Sequence, residues 1–379
     1  MIFRNALVYG SDFHFHEGGF SVEDGRFSRV LAVQKDDGID LGGAYVVPGL
    51  IDVHNHGNSG KDFSDGDDAG LRTIARYLAK KGITSFAPAS LTLPEEQLRA
   101  AYEAAARFAA EAPAGCAVLR GIHMEGPFFS EKKKGAQNGA YLQNPDYEMF
   151  LRLNAAARGL IKIADVAPEL PGALDYIEQV SKICRVSIAH TSADYEQAKA
   201  AIRAGARHIT HLYNAMPPFL HRAPGVVGAA AEAPGVLAEL ICDGQHVHES
   251  VVRATLAMFG ADRLCLVSDA LSCCGMPRGE YALGGQRIVL DGTVARLADA
   301  PDTLAGSANN LFGIFRLALS FGISAEDAVR MASETPARAL GVEDEVGTIA
   351  DGKRADFLVL AADFSLTRVF LAGSEIEKD

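Results

Sequence analysis

Two histidines one residue apart, His54 and His56, follow the apolar segment 46–53. Side chains two residues apart on a strand lie on the same face, so both imidazoles are expected to leave the end of a buried strand together. Two neutral imidazoles that converge in this way can bind one metal ion. An isolated His-x-His pair is more often an ordinary surface or core pair, and the prediction of a metal site therefore depends on further ligands.

Further ligand-type side chains follow other predicted strands: His123 and Glu125 the third, His190 the fifth, His211 the sixth and Asp269 the eighth. Each has a simpler alternative, since Glu125 could be a turn residue, His211 a core residue, and His190 or Asp269 a helix cap. Their convergence at strand ends nevertheless predicts a metal site, with His123 as a possible partner behind the ligands. Imidazole and carboxylate suit a divalent zinc or iron ion, and without a thiolate in the set a closed structural zinc site is not expected.

The elements that must position these side chains are eight apolar segments separated by mostly helical stretches. The predicted strands are 46–53, 83–89, 117–123, 160–166, 185–189, 207–211, 236–242 and 263–268. The clearest predicted helices are 71–81 and 95–111, and two more are expected after the last strand, at roughly 308–320 and 325–340. This alternation predicts an α/β fold, a parallel (β/α)8 TIM barrel over residues 46–345, whose active site would lie at the carboxyl ends of the strands. Residues 1–45 and 346–379 are predicted to pair into one small β-sandwich-like domain.

Composition limits the possible partners. The chain has 379 residues, 48% of them hydrophobic, and a formal net charge of −12. We therefore expect neither a nucleic acid nor an anionic membrane surface as a partner. The apolar run at the N-terminus is too short for a secretory signal, and no uninterrupted apolar stretch is long enough to span a bilayer. The six cysteines include no Cys-x-x-Cys pair, which favours reduced thiols and a cytoplasmic protein.

Polar residues near the same strand ends suggest substrate contacts. The Pro-rich segment 216–235 interrupts the alternation and is predicted to be a functional loop, and it carries Arg222, a side-chain type suited to phosphate. Residues 243–246, Asp-Gly-Gln-His, follow the seventh strand. The lysines at 132–134 are more often part of a solvated loop than of a ligand site. No P-loop motif is present, so a nucleoside triphosphate is not expected.

These strings resemble, in chain order, the amidohydrolase superfamily and, within it, the N-acetylglucosamine-6-phosphate deacetylases. The strings are Pro-Gly-Leu-Ile-Asp-Val-His-Asn-His-Gly at 48–57, His-Met-Glu-Gly-Pro-Phe at 123–128, Thr-His-Leu-Tyr-Asn-Ala-Met at 210–216, Asp-Gly-Gln-His-Val at 243–247, Val-Ser-Asp-Ala at 267–270, Leu-Ala-Gly-Ser at 304–307 and Gly-Thr-Ile-Ala-Asp-Gly-Lys-Arg-Ala-Asp at 347–356. The second and third are specific to the deacetylases, whereas the first and last occur across the superfamily.

The resemblance implies roles for individual residues. Glu125, His190 and His211 match the constant metal ligands, and Asp269 matches the catalytic aspartate. Some members lack the His54-x-His56 pair and bind one ion, so its presence here favours two ions bridged by Glu125, which would replace the carboxylated lysine of the superfamily. The positions that match substrate contacts are Ala136, Gln137, Asn214, Ala215, Arg222, His246, Leu304, Ala305 and Gly306. Some members have His in place of Gln137.

The implied reaction is metal-dependent hydrolysis of the acetamide of N-acetyl-D-glucosamine 6-phosphate to D-glucosamine 6-phosphate and acetate, in amino-sugar catabolism or cell-wall sugar recycling. The resemblance also implies a homodimer in which the loop carrying Arg222 reaches the neighbouring subunit. Alternatives are a deacetylase of the galactosamine epimer and an amidohydrolase of cyclic amides. A metal-bound sugar-phosphate sensor without turnover is less favoured, because a sensor needs no general base such as Asp269.

Overall fold

The computed structural model describes residues 1–33 and 38–377; residues 34–37 and 378–379, in the predicted end domain, lie outside the described residues. The strands are β1 (Ile2–Tyr9), β2 (Phe15–Glu23), β3 (Arg26–Ser28), β4 (Ile39–Pro48), β5 (Leu50–Asn55), β6 (Gly57–Asn58), β7 (Lys61–Asp62), β8 (Ile83–Pro88), β9 (Val118–Leu119), β10 (Ile122–Met124), β11 (Ile161–Val166), β12 (Arg185–Ile188), β13 (His208–Ile209), β14 (Leu237–Leu240), β15 (Leu264–Leu266), β16 (Gly279–Leu283), β17 (Gln286–Asp291), β18 (Val294–Leu297), β19 (Ala300–Ser307), β20 (Phe357–Leu360), β21 (Leu366–Leu371) and β22 (Ser374–Glu375).

The α-helices are α1 (Asp68–Lys80), α2 (Glu95–Glu111), α3 (Tyr147–Ala156), α4 (Ala173–Val180), α5 (Tyr195–Ala204), α6 (Gly225–Ala231), α7 (Glu249–Phe259), α8 (Leu311–Ser320), α9 (Ala325–Ala332) and α10 (Glu334–Leu340). Short 3-10 helices span Phe63–Asp65, Glu131–Lys133 and Gly139–Tyr141. In the described part of the chain, no helix combines the length and the apolar character needed to cross a membrane.

Strands from both chain ends form one seven-stranded sheet in the order β22-β21-β20-β4-β1-β2-β3. Its aromatic residues form a core of their own, in which the rings of Phe357 and Phe370 stack with centroids 4.3 Å apart and Phe3 packs edge-on against both. Strands from the two chain ends therefore share one sheet, while a separate, sandwich-like domain stays a prediction.

The α/β part contains parallel strands separated by helices. One parallel sheet has six strands, β10 to β15 in chain order, and another has β5, β8 and β9. Single parallel bridges join the two sheets at both sides, between Ala89 and His123 and, next to the end of β15, between Asn55 and Ala270. The helices turn an apolar face inward: in α1, Leu71 and Ile74 are among the buried residues.

The predicted strand 46–53 is in fact two strands. Residues up to Pro48 belong to β4, which pairs with β20 in the terminal sheet, and the parallel strand β5 begins at Leu50. Gly49 lies between them, and a Cβ atom there would come within 2.1 Å of Thr84 Oγ1. Only glycine leaves room for the Thr84 side chain here, and the chain changes sheets at this point.

Other boundaries also differ from the prediction. The expected strand 117–123 is interrupted between β9 and β10, and the expected helix 325–340 is divided at Ser333, where φ is −138° and ψ is −69°. The segment 216–235 is not all loop, because it contains α6. Helix α2 begins directly after Pro94 and ends at Glu111, as predicted.

An antiparallel sheet of four strands, β16 to β19, follows β15 and had no counterpart in the sequence prediction. Its last strand returns to the parallel sheet, because Ser307 forms a parallel bridge with Ala270 and its N–H donates to Asp269 O at 2.8 Å. The end of β19 is thereby placed beside the predicted catalytic aspartate.

Candidate metal centre and active site

His54, His56 and Asp269 form the first group of possible metal ligands. The two Nε2 atoms are 3.4 Å apart, and Asp269 Oδ1 lies 3.5 Å from that of His54 and 3.2 Å from that of His56. Ligand atoms about 2.0–2.1 Å from a tetrahedral ion are about 3.3–3.4 Å from one another. The spacing in this group therefore suits one bound ion.

Glu125, His190 and His211 form a second group. The Nε2 atoms of His190 and His211 are 3.1 Å apart and lie 3.1 and 3.2 Å from Glu125 Oε1. The other carboxylate oxygen, Oε2, is 3.3 Å from His56 Nε2 in the first group. Glu125 thus lies between the two groups, where a bridging carboxylate would have to be.

The imidazoles are held with Nε2 facing the centre. His54 Nδ1 donates to Glu239 at 2.8 Å, His56 Nδ1 to the carbonyl of Ala89 at 3.1 Å, and His190 Nδ1 to the carbonyl of Lys133 at 2.9 Å. Fixing the proton on Nδ1 leaves the Nε2 lone pair free for a metal. The donor set and its orientation therefore fit a divalent ion.

The charges in the centre favour ionised carboxylates. Burial raises the pKa of Glu125, but the charge of His54 and hydrogen bonds from His190 and His211 more than offset this and hold it well below its usual value. Burial lowers the pKa of His56, whereas the hydrogen bond to Asp269 and the charge of Glu125 raise it to about 9. The His56 ring is therefore protonated on both nitrogens near neutral pH, and a metal ion would have to displace the proton on Nε2.

Three of the six side chains sit on unusual backbone. The φ angles of His190, His211 and Asp269 are 42°, 31° and 46°, in the left-handed region that side-chain-bearing residues rarely adopt. Ala215, just after His211, has a φ of 52°. Such conformations cost energy and concentrate at functional sites, so the sharp turns after these strands support a functional reading of the cluster.

A cavity of about 280 Å³ opens above the two groups, and it brings together the predicted metal ligands except the deeper His54 with most of the predicted substrate residues. The predicted substrate residues that line it are Ala136, Gln137, Asn214, Ala215, His246, Leu304, Ala305 and Gly306. A Cβ atom at Gly306, whose φ is 112°, would meet Leu271 at 2.9 Å and Asp269 O at 3.0 Å, so glycine is required where β19 passes the aspartate.

His246 is held toward the cavity by an acidic neighbour. Its Nδ1 donates to Asp243 Oδ2 at 2.7 Å, and Asp243 Oδ1 accepts from the backbone N–H groups of Gln245 and His246. Burial raises the pKa of Asp243, but the bond from His246 and its charge outweigh this and lower it. A carboxylate at Nδ1 leaves His246 Nε2 available to a ligand.

Asn214 and Ala215 are fixed by the turn after β13. Asn214 Nδ2 donates to the carbonyls of His211 and Leu212, each at 3.2 Å, and the carbonyl of Ala215 accepts from the N–H of Thr191 at 3.0 Å. The turn that carries a predicted metal ligand therefore also positions two predicted substrate residues.

Arg222 does not join the others. The lining of the cavity, over the described residues, does not include it, and it is exposed at the tip of a turn closed by mutual backbone hydrogen bonds between Leu220 and Ala223. Phe219 and Leu220 beside it are 48% and 51% exposed. The predicted phosphate ligand is therefore exposed and outside the lining of the chain's own cavity.

Sequence reasoning missed Glu239, which is fully buried in β14 and holds His54. A charged residue within the apolar segment Leu-Ala-Glu-Leu was the available signal. It also missed Leu91, Leu283 and Thr303 in the cavity wall. Leu283 and Thr303 belong to the unpredicted antiparallel sheet.

Comparison with known proteins agrees with the geometry. The profile of the Amidohydrolase family matches residues 45–376. An N-acetylglucosamine-6-phosphate deacetylase of Vibrio furnissii is 36% identical over 340 residues, which make up 89% of this chain and 84% of that protein. An N-acetylgalactosamine-6-phosphate deacetylase of Escherichia coli O157:H7 is 33% identical over 328 residues, 86% of each chain. The structure of a mutant N-acetyl-D-glucosamine-6-phosphate deacetylase of Mycobacterium smegmatis, in complex with N-acetyl-D-glucosamine 6-phosphate, has a TM-score of 0.92 and 32% identity, and covers 99% of this chain and 98% of that chain.

Proposed function

Because this chain belongs to the amidohydrolase family, we propose that it hydrolyses the acetamide of N-acetyl-D-glucosamine 6-phosphate to D-glucosamine 6-phosphate and acetate. The observation that carries the proposal is the cavity itself. Its wall combines five of the six clustered metal-ligand side chains with the polar loop residues that match a sugar-phosphate site. The product sugar and acetate place the reaction in amino-sugar catabolism.

A divalent ion is the cofactor, and we assign it to zinc or iron, with two ions per chain. Three groups of possible ligands occur among the described residues, and the third combines His54 with His123 and Glu239. The support for two ions is that the other two groups, composed of imidazole and carboxylate only, are linked by Glu125. When bound, the ions would polarise the amide carbonyl and lower the pKa of a water molecule. His54, His56 and Asp269 would hold one ion, and Glu125, His190 and His211 the other.

Asp269 carries the proton in the reaction. Burial raises its pKa, but the charge of His54 and the contact with His56 lower it, so the carboxylate is ionised and can accept a proton from the attacking water. It then returns the proton to the nitrogen, because the amine must leave as a neutral group. His246, whose Nδ1 is held by Asp243, presents Nε2 to the cavity, and in its imidazolium form Nε2 would donate a hydrogen bond to the developing oxyanion or to the phosphate.

The phosphate is held by Asn214, the backbone at Ala215, and Arg222 from a neighbouring subunit. The exposed position of Arg222, outside the cavity of its own chain, supports a contribution across a homodimer. The exposed Phe219 and Leu220 beside it would be covered in such a dimer. Binding energy at the phosphate then positions the distant acetamide.

The architecture we propose is a complete (β/α)8 TIM barrel beside a small β-domain formed by residues 1–48 and about 346–379. Eight parallel strand positions, and the bridges that join the two parallel sheets at Ala89 and at Asn55, support closure of the barrel. The strand β4, which reaches Pro48, supports a boundary slightly later than the sequence suggested. A cytoplasmic location is in keeping with six cysteines that are all free thiols.

The galactosamine epimer is the second candidate substrate, since the relative of E. coli O157:H7 carries that activity in its name. The two sugars differ only at C4. The test is acetate release by the zinc- or iron-loaded protein from both N-acetylated sugar 6-phosphates and from free N-acetylglucosamine. We expect the highest kcat/KM for the glucosamine compound, and a higher value for the galactosamine compound would reverse the assignment.

A further inference from the structure

Glu239 lies beneath the metal centre and contacts both groups of ligands. Its Oε2 accepts from His54 Nδ1 at 2.8 Å and from the backbone N–H of His211 at 3.1 Å. Its Oε1 accepts from His208 Nε2 at 3.1 Å. Glu239 is 0% exposed, and His123 Nδ1 lies 3.5 Å from its Oε1.

His54 differs in this respect from the other predicted imidazole ligands. The Nδ1 atoms of His56 and His190 donate to backbone carbonyls, and His211 Nδ1 has no hydrogen-bond partner among the residues that the structure describes. Among the four, only His54 has a carboxylate as the partner of its Nδ1. A carboxylate behind a ligating histidine fixes its tautomer and raises its basicity more than a neutral carbonyl does.

The contact with His211 links the second group to the same carboxylate. His211 has a φ of 31°, at the point where the chain leaves β13 and turns sharply. The bond from its N–H to Glu239 holds that turn in place, and the carbonyl of Glu239 also accepts from the N–H of Leu212 at 2.9 Å. One residue of β14 therefore fixes a side chain in one ligand group and the backbone of the other.

We propose that Glu239 is a positioning residue of the metal centre, which sets the tautomer and donor strength of His54 and so the affinity for the ion bound through His54 and His56. The inference rests on the proposed metal centre. Glutamine at this position cannot serve equally, because its amide has only one acceptor oxygen. Its NH2 group, a donor, would face either His208 Nε2 or the donors of His54 and His211.

Asp165 provides a matched control. It is also a fully buried carboxylate that accepts from a histidine, His123 Nε2, at 2.8 Å. His123 forms a third group of possible ligands with His54 and Glu239, but it belongs to neither of the two groups assigned to the ions. Asp165→Asn removes a buried charge of the same kind without touching a predicted ligand. A general effect of buried charge would appear equally in Asp165→Asn and Glu239→Gln.

The experiment is a zinc titration of metal-free protein against a competing chelator for the wild type, Glu239→Gln, Asp165→Asn and His54→Asn. We expect His54→Asn to abolish or strongly weaken one ion, Glu239→Gln to weaken the same ion by about 10- to 100-fold, and Asp165→Asn to leave both affinities unchanged. If Glu239→Gln bound zinc as tightly as the wild type while His54→Asn bound one ion more weakly, the proposed role of Glu239 would be wrong and the metal centre would stand. Unchanged binding in His54→Asn would overturn the assigned metal centre and, with it, this inference.

Nuclear magnetic resonance of the wild type tests the same point without the Glu239→Gln variant. With histidine labelled by ¹⁵N, and the His54 signal assigned by its loss in His54→Asn, the zinc-loaded protein should show His54 protonated at Nδ1 and metal-bound at Nε2. A His54 ring protonated at Nε2 would contradict the proposal.

Discussion

Gln137 Nε2 donates a hydrogen bond of 2.8 Å to Glu125 Oε2. A side chain predicted to contact the sugar therefore also restrains the carboxylate that lies between the two ligand groups. Gln137 is itself fixed, because its Oε1 accepts from the N–H of Thr92 at 2.8 Å. The metal centre and the substrate wall are thus connected through one amide.

Gln137→Ala should weaken zinc binding as well as raise KM, because Glu125 loses the donor that orients it. We expect about a tenfold loss of zinc affinity, as for other groups that support metal ligands. A chelator competition measures it. Gln143→Ala, an exposed glutamine in the same segment, is the control and should leave zinc affinity unchanged. If Gln137→Ala raised KM only, the contact with Glu125 would have no role in metal binding.

Asp269→Asn should keep the fold and lower kcat by about 10²- to 10⁴-fold, because it removes the group that accepts and returns the proton. Acetate release under saturating substrate measures the effect. Asp302→Asn is a suitable control, since Asp302 lines the same cavity but belongs to neither ligand group. A variant Asp269→Asn that retained more than about a tenth of wild-type kcat would be incompatible with general-base catalysis by this residue.

The double variant His54→Asn with His56→Asn should lower zinc content from about two ions per chain to about one, because it removes two of the three ligands in one group. Mass spectrometry of the native protein counts the bound ions. The control is His14→Asn with His16→Asn, another His-x-His pair, which lies in the region of the terminal sheet and should leave the zinc content unchanged. A wild type that holds a single ion when saturated with zinc would rule out the two-ion centre.

Arg222→Ala should lower kcat/KM by about ten- to a hundredfold for the phosphorylated sugar and hardly at all for free N-acetylglucosamine, because a charge-assisted bond to phosphate contributes roughly 1.5–3 kcal/mol. Steady-state kinetics on both sugars measure the difference. Equal losses on both would mean that Arg222 supports the loop or the fold instead.

Subunit mixing extends this test to the proposed dimer. If Arg222 acts on the neighbouring cavity, a mixture of Arg222→Ala and Asp269→Asn subunits, dissociated and reassociated, should regain up to about a quarter of wild-type activity, because each mixed dimer has one intact site. No recovery, in a mixture shown to exchange subunits, would place Arg222 in the cavity of its own chain.

The ligand groups could be predicted because the information is local. His54 and His56 share a face through the two-residue period of a strand, and Glu125, His190, His211 and Asp269 each follow a short apolar segment. Parallel strands place their carboxyl ends on one face, so recognising the strands was sufficient to bring these side chains together.

Features that depend on contacts between distant segments could not be predicted. The bond from Gln137 to Glu125, the support of His54 by Glu239 and the position of β19 beside Asp269 all join parts of the chain that carry no shared pattern. The division of segment 46–53 at Gly49 could not be predicted either, because the residue that approaches Gly49 closely, Thr84, belongs to another strand.

The most direct test of the account is acetate release from N-acetyl-D-glucosamine 6-phosphate while metal-free protein is titrated with zinc or iron(II). The account predicts almost no release without metal, a rise as the ligand groups around Glu125 fill, and one glucosamine 6-phosphate formed per acetate. Release that is independent of metal, or no release at metal saturation, would contradict it.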